Sequence, residues 1–145
     1  MKALLTCLFA MSLCAIAADT KKPNLTGDWK LNVEKSNAPG IPDDLLFKIR
    51  HNDPEFLATQ EIGGETTEFK MGTDGKEYKN SFGPGEMVTV MKWAGDVLLS
   101  DSTIQTPGGQ VKFADRLMLD GKLLKIQRTI TGPDGDRTLI LVLEK

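Results

Sequence analysis

Short runs of alternating apolar and polar residues fill most of the chain, and turn-forming residues interrupt them about every ten to twelve positions. The interruptions fall at 37–42, 52–54, 63–64, 74–75, 83–85, 95–96, 107–109, 120–121 and 133–135, each rich in Gly, Pro, Asn or Asp. Between them the period is two, the period of a strand with one covered face. Proline and glycine cut every window before an amphipathic helix could complete two turns. The pattern predicts strands over 26–33, 45–51, 56–62, 66–71, 77–82, 87–93, 97–106, 110–119, 123–131 and 137–144. Connections this short force sequential strands to pair. The expected fold is therefore all-β, an antiparallel up-and-down meander of eight to ten strands closed into a small barrel. A two-sheet sandwich is the alternative.

Parity sorts the faces. Leu45, Phe47, Ile49 and His51 share one, as do Phe56, Ala58, Gln60 and Ile62, and Met87, Thr89, Met91 and Trp93. The last strand carries Leu139, Leu141 and Leu143 on one side and Ile140 and Val142 on the other, so both its faces are expected to be covered.

Residues 1–18 break the pattern. Lys2 precedes an apolar stretch, and Ala15-Ile16-Ala17 has the small-x-small form of a signal peptidase site. The stretch is too short and wrongly flanked for a spanning helix, so no stable membrane insertion is expected. Leu13 ahead of Cys14 argues against a lipoprotein. Cleavage near Ala17 or Ala18 would give a secreted or periplasmic protein whose single domain is 19–145. It would remove both cysteines, Cys7 and Cys14, and shift the formal net charge from −2 to about −3 by loss of Lys2. No basic stripe appears, so no nucleic-acid partner is implied.

Candidate chemistry is sparse. One histidine and no mature cysteine exclude a His/Cys metal cluster and the usual catalytic triad. His51 is read as a solvated rim residue. Asp43-Asp44 and Glu65/Glu68 are read as solvated charge, and Asp134-Gly135-Asp136 as a hairpin turn lacking the other ligands of a calcium loop. No cofactor, metal or catalytic residue is implied, and the chain is not expected to be an enzyme.

Polar residues interrupt an apolar face in one hairpin. Asp115 sits among Val111, Phe113, Leu117 and Leu119, and Arg128 among Leu124, Ile126 and Ile130. Pairing across the Asp120-Gly121 turn sets Asp115 opposite Ile126, with Arg128 a diagonal neighbour. Arg128 then either meets an anionic ligand head inside a cavity, with Asp115 as resting partner, or forms a buried ion pair that fills the barrel. A bulge that slips the strand by one residue would put both outside. Phe47, Met91, Trp93 and Phe113 are the apolar lining candidates.

Gly27-Asp28-Trp29 on the first strand resembles the opening of calycin proteins, the lipocalins and fatty-acid-binding proteins. Gly27-Asp28-Trp29-Lys30-Leu31 is especially similar to the fatty-acid-binding opening, and Gly27 and Trp29 are its structural signature. Lys92-Trp93-Ala94-Gly95, the stretch around Asp120-Gly121-Lys122 and the ending Leu143-Glu144-Lys145 resemble that family in outline. Trp29-Lys30-Leu31-Asn32 followed by Lys35-Ser36 is further similar to exported bacterial proteins of lipocalin-like type. The resemblance implies a calycin-like barrel whose tryptophan plugs the closed end. It also implies an inward arginine at Arg116, where parity favours Arg128. Three features depart from the family. Residues 34–44 are too few for its two-helix lid. Leu141 and Leu143 stand where its Arg-x-Tyr pair would be. No helix follows the barrel.

The expected function is an exported binding protein that holds a small apolar or amphipathic molecule inside the barrel. The alternative is a filled barrel acting as an envelope protein–protein interaction module, with oligomeric state open in either case. Small inward residues (Ala58, Thr89, Ser100, Ser102, Ala114) favour the first; large ones (Phe47, Phe56, Phe69, Phe113, Trp93) favour the second.

Overall fold

The computed structural model describes residues 21–145; the expected signal peptide and both cysteines lie outside the described residues. Ten strands follow one another: β1 Gly27–Leu31, β2 Leu46–Asn52, β3 Glu55–Ile62, β4 Glu65–Gly72, β5 Asp74–Phe82, β6 Gly85–Ala94, β7 Val97–Thr106, β8 Gly109–Asp120, β9 Leu123–Gly132 and β10 Gly135–Glu144. All belong to one antiparallel sheet of order β4-β3-β2-β1-β10-β9-β8-β7-β6-β5. Every strand pairs with its sequence neighbours except β4 with β5, and one further pairing joins the two ends of the meander. β1 pairs with β10, which rolls the meander into a barrel rather than two stacked sheets. β4 and β5 lie side by side without a backbone ladder, so the barrel is nearly closed.

Side chains close that last seam. The Asn80 amide accepts from Lys70 N–H at 2.9 Å and donates to Lys70 C=O at 3.2 Å. The phenol of Tyr78 lies over Gly72, where any Cβ would collide with it. Phe69 and Phe82 stack with ring centroids 6.3 Å apart. Asp74-Gly75, expected as a turn, is instead a bulged start of β5: the register shifts between Asp74 and Glu77, and Gly75 has φ +77°.

The inward faces are those the alternation marks, and most of the core lies on them. Two expectations need correction. Ala114 is exposed on the outer face of β8, because it has the opposite parity to Phe113 and Asp115. His51 is buried rather than solvated. The expectation for the last strand holds on one side: Val142 is covered, whereas Ile140 is 37% exposed. The cover comes from residues 32–37, tied to β10 by Asn32 N–H to Val142 O and by reciprocal Asn37–Ile140 bonds, all at 2.8 Å.

At one end of the barrel Trp29, 2% exposed, packs with Leu25, Leu98, Leu124 and Leu143, and its indole N–H donates to Leu25 O at 2.9 Å. Gly27 makes that placement possible. A Cβ there would stand 3.1 Å from the indole ring of Trp29 and 2.5 Å from Lys145 Cε. The Gly-x-Trp spacing therefore has a steric cause. Residues i and i+2 share a face, and the bare backbone at 27 leaves room for the ring at 29.

Candidate functional site

The hairpin of β8 and β9 sets the site. Its loop is Gly121-Lys122, with Gly121 at φ +60°, the first-position glycine of a tight II′-type turn. Asp120 therefore pairs with Leu123, and Asp115 lies directly opposite Arg128. The expected Asp115–Ile126 pairing is two residues out of register, because it took Asp120-Gly121 as the loop; Ile126 in fact faces Leu117. The shift is even, so the faces are preserved. Arg128 and Asp115 both point inward, whereas Arg116 is exposed outside and lines no part of the cavity.

Arg128 and Asp115 form a two-pronged ion pair: Nε–H donates to Oδ1 at 2.8 Å and Nη2–H to Oδ2 at 2.7 Å. The guanidinium carbon lies 5.3 Å from the Phe113 ring centre. Burial works against the guanidinium charge, but the hydrogen bonds and attraction of Asp115 outweigh it, and Arg128 is held above its ordinary pKa. Inner-wall residues align across three strands here, with Ser100 opposite Asp115 and Asp115 opposite Arg128.

This row borders an internal cavity of about 270 Å³. Phe47, Met91 and Phe113 line it, as expected. So do the small residues Ala58, Ser100 and Ser102, which leave the space open. Ile41 contributes from the β1–β2 connection, and Gln60 adds a polar group on β3. Ile41 was not legible in advance, since a loop has no periodicity to reveal where a side chain points. The connection is also pinned: Asp44 Oδ2 accepts from Gly63 N–H at 2.7 Å. Thr89 is buried against Ser102, Oγ1 to Oγ 2.8 Å apart, and does not reach the cavity.

Trp93 does not line the cavity either. It belongs to a polar cluster at the closed end. Its indole N–H donates to Asp53 Oδ1 at 2.8 Å, and Thr73 Oγ1 donates to the same oxygen. Leu25 N–H donates to His51 Nδ1 at 3.2 Å, so Nε2 is the nitrogen that carries hydrogen toward Asp53 Oδ1, also at 3.2 Å. The parity of His51 with Leu45, Phe47 and Ile49 was the signal for its burial; the adjoining Asn52-Asp53-Pro54 turn masked it. Among the described residues no three His, Cys, Asp or Glu side chains gather as a metal site would require.

Burial raises the Asp53 carboxyl, but hydrogen bonds from Thr73, Trp93 and His51 outweigh that and hold it below the usual carboxylate range. A lowered folded-state pKa stabilises the fold above the unfolded value, about 3.9, and that contribution is lost as pH falls through the folded value. Asp53→Asn is therefore expected to unfold at lower urea than the native protein at pH 7, with the gap narrowing as pH falls below about 4. Urea midpoints at pH values above and below about 4 check this; a gap that does not narrow on acidification contradicts it.

No protein-family model matches the chain, and no curated protein does. Solved structures do. The zebrafish ileal bile acid-binding protein complexed with cholic acid superposes with a TM-score of 0.61 at 21% identity, covering 83% of this chain and 97% of that one. A secretory abundant heat soluble protein of Ramazzottius varieornatus gives 0.68 at 12% identity, covering 87% and 98%. Fatty-acid-binding protein 1 of Echinococcus granulosus gives 0.60 at 13%, covering 83% and 96%. The fold is thus a nearly closed ten-stranded antiparallel barrel similar to those of these binding proteins, as the meander suggested.

Proposed function

We propose that the protein is an exported binding protein that buries a small apolar or amphipathic molecule in the barrel. The observation that carries this is the cavity of about 270 Å³, apolar over most of its wall and bordered by one ion pair. Its size falls just below the ~300–1,000 Å³ usual for ligand sites, which suits one compact chain or ring system. The named ligand classes of two structural neighbours, bile acid and fatty acid, support the reading. No chemistry is needed: burial of apolar surface provides the affinity and the polar row orients the head group. A chain of about ten buried methylenes gains roughly 8 kcal/mol, against an association cost of at least about 4 kcal/mol. Affinity is therefore modest and exchange quick, as suits a mouth without a helical lid.

Native mass spectrometry of protein taken from its own host, without delipidation, tests the reading. A defined extra mass lost on denaturation is expected. A bare mass, together with no uptake from a mixed lipid extract, would favour a non-enzymatic interaction module. Ala58→Phe supplies the control. Ala58 is 7% exposed and lines the cavity, so the larger ring fills it. Uptake should fall at least tenfold, while stability changes by no more than ~1–3 kcal/mol, the usual cost of overpacking.

A further inference from the structure

Resting on that binding reading, we propose that the cavity selects uncharged amphiphiles with a hydroxyl or primary amide head over carboxylates of the same chain. This differs from the anionic head that Arg128 alone suggests. Among the described residues lining the cavity, Arg128 and Asp115 are the only charged ones. They are already paired through both prongs of the guanidinium, so the fixed charge of the wall sums to zero. An anionic head reaching Arg128 would sit beside the Asp115 carboxylate with no second cation to balance it. In an apolar enclosure that arrangement is unfavourable.

The remaining hydrogen-bonding capacity suits a neutral head. A guanidinium has five N–H groups, and the pair with Asp115 uses Nε–H and one Nη2–H, leaving three donors. The carboxylate of Asp115 keeps free lone pairs. Ser100, directly across the strand from Asp115, offers a hydroxyl that donates or accepts, and Gln60 adds an amide to the wall. Donors and acceptors thus stand side by side in the row Ser100, Asp115, Arg128. A hydroxyl or primary amide, which both donates and accepts, satisfies such a row; a carboxylate, which only accepts, does not. The two-pronged pair with Asp115 sets the direction of the guanidinium, and Phe113 lies against it.

The test is displacement of the neutral fluorophore N-phenyl-1-naphthylamine at pH 7 by 1-decanol, decanamide, decanoate and decyl sulfate. Decanol and decanamide should displace the probe at least tenfold more effectively than decanoate or decyl sulfate. Asp115→Asn leaves a net positive wall, and in it decyl sulfate should gain at least tenfold. Decanoate equal to or tighter than decanol in the native protein would overturn the proposal while leaving the binding reading intact. Failure of both the probe and all four chains to bind would overturn the binding reading, and this proposal with it. If Asp115→Asn does not fold, the native ranking decides alone.

Discussion

Replacing either member of the Arg128–Asp115 pair by alanine is expected to cost about 3 kcal/mol, the lower end of the ~3–5 kcal/mol for breaking a buried pair. The side chains are 21% and 12% exposed, so neither charge is wholly withdrawn from the cavity. Each single change leaves the other charge facing an apolar wall of Phe113, Leu117 and Ile126. The double replacement Asp115→Leu with Arg128→Met should behave oppositely, being neutral or more stable than the native chain by up to ~1–4 kcal/mol. Apolar side chains of similar volume remove two desolvation penalties at once. Urea midpoints for the native chain, Asp115→Leu, Arg128→Met and the double variant form a double-mutant cycle that isolates the coupling. A double variant as unstable as the sum of the singles would mean the pair acts independently and the argument fails. A double variant that folds well but no longer distinguishes decanol from decane would show why a buried polar pair is kept inside a barrel that would be steadier without it.

The strand order and the face of each strand were legible because period-two alternation and regular turn residues leave little choice in a meander with such short connections. Arg128 was placed inward by parity alone, against the family likeness that pointed to Arg116. The pairing partner of Asp115 was not legible. An Asp-Gly and a Gly-Lys loop differ by one residue at the turn and by two in every pair above it. The seam between β4 and β5 was hidden for another reason. Asn80 replaces a backbone ladder with a side-chain amide, and no local pattern distinguishes such an asparagine from a solvated one. Trp93 shares parity with Met91 and was assigned to the cavity. Parity fixes only the face, and its height along the barrel axis puts it in the closed-end cluster with Asp53.

The connection of residues 32–45 covers β10 rather than the cavity. It has too few residues for helices over the mouth, so it turns back along β10 and covers Val142. Only Ile41 reaches the cavity wall. The mouth is thereby left to the facing side chains of the barrel, Phe69 and Phe82 among them, rather than to a separate lid.

The closed end is where stability should be concentrated. Trp29→Ala is expected to lower the unfolding free energy by about 3–5 kcal/mol, the usual cost of deleting a buried aromatic. That is about a fifth or more of the ~5–15 kcal/mol available to a typical domain. Trp29 is 2% exposed, lies opposite Phe47 in the β1–β2 pairing and satisfies the carbonyl of Leu25. The Lys145 ammonium sits 4.8 Å from its ring centre, so the chain's last residue is docked on the same plug. Trp29→Phe keeps most of the apolar volume but orphans the Leu25 carbonyl, and should cost about 1–3 kcal/mol. Gly27→Ala should also destabilise, because its methyl must push the indole from its place 3.1 Å away. Affinity for a bound chain should be unchanged in all three wherever they remain folded, since Trp29 does not line the cavity. Urea denaturation followed by probe titration at low temperature separates the two effects. A loss under about 1 kcal/mol for Trp29→Ala would deny the plug its role, and a loss of affinity at full folding would place the binding site at the wrong end of the barrel.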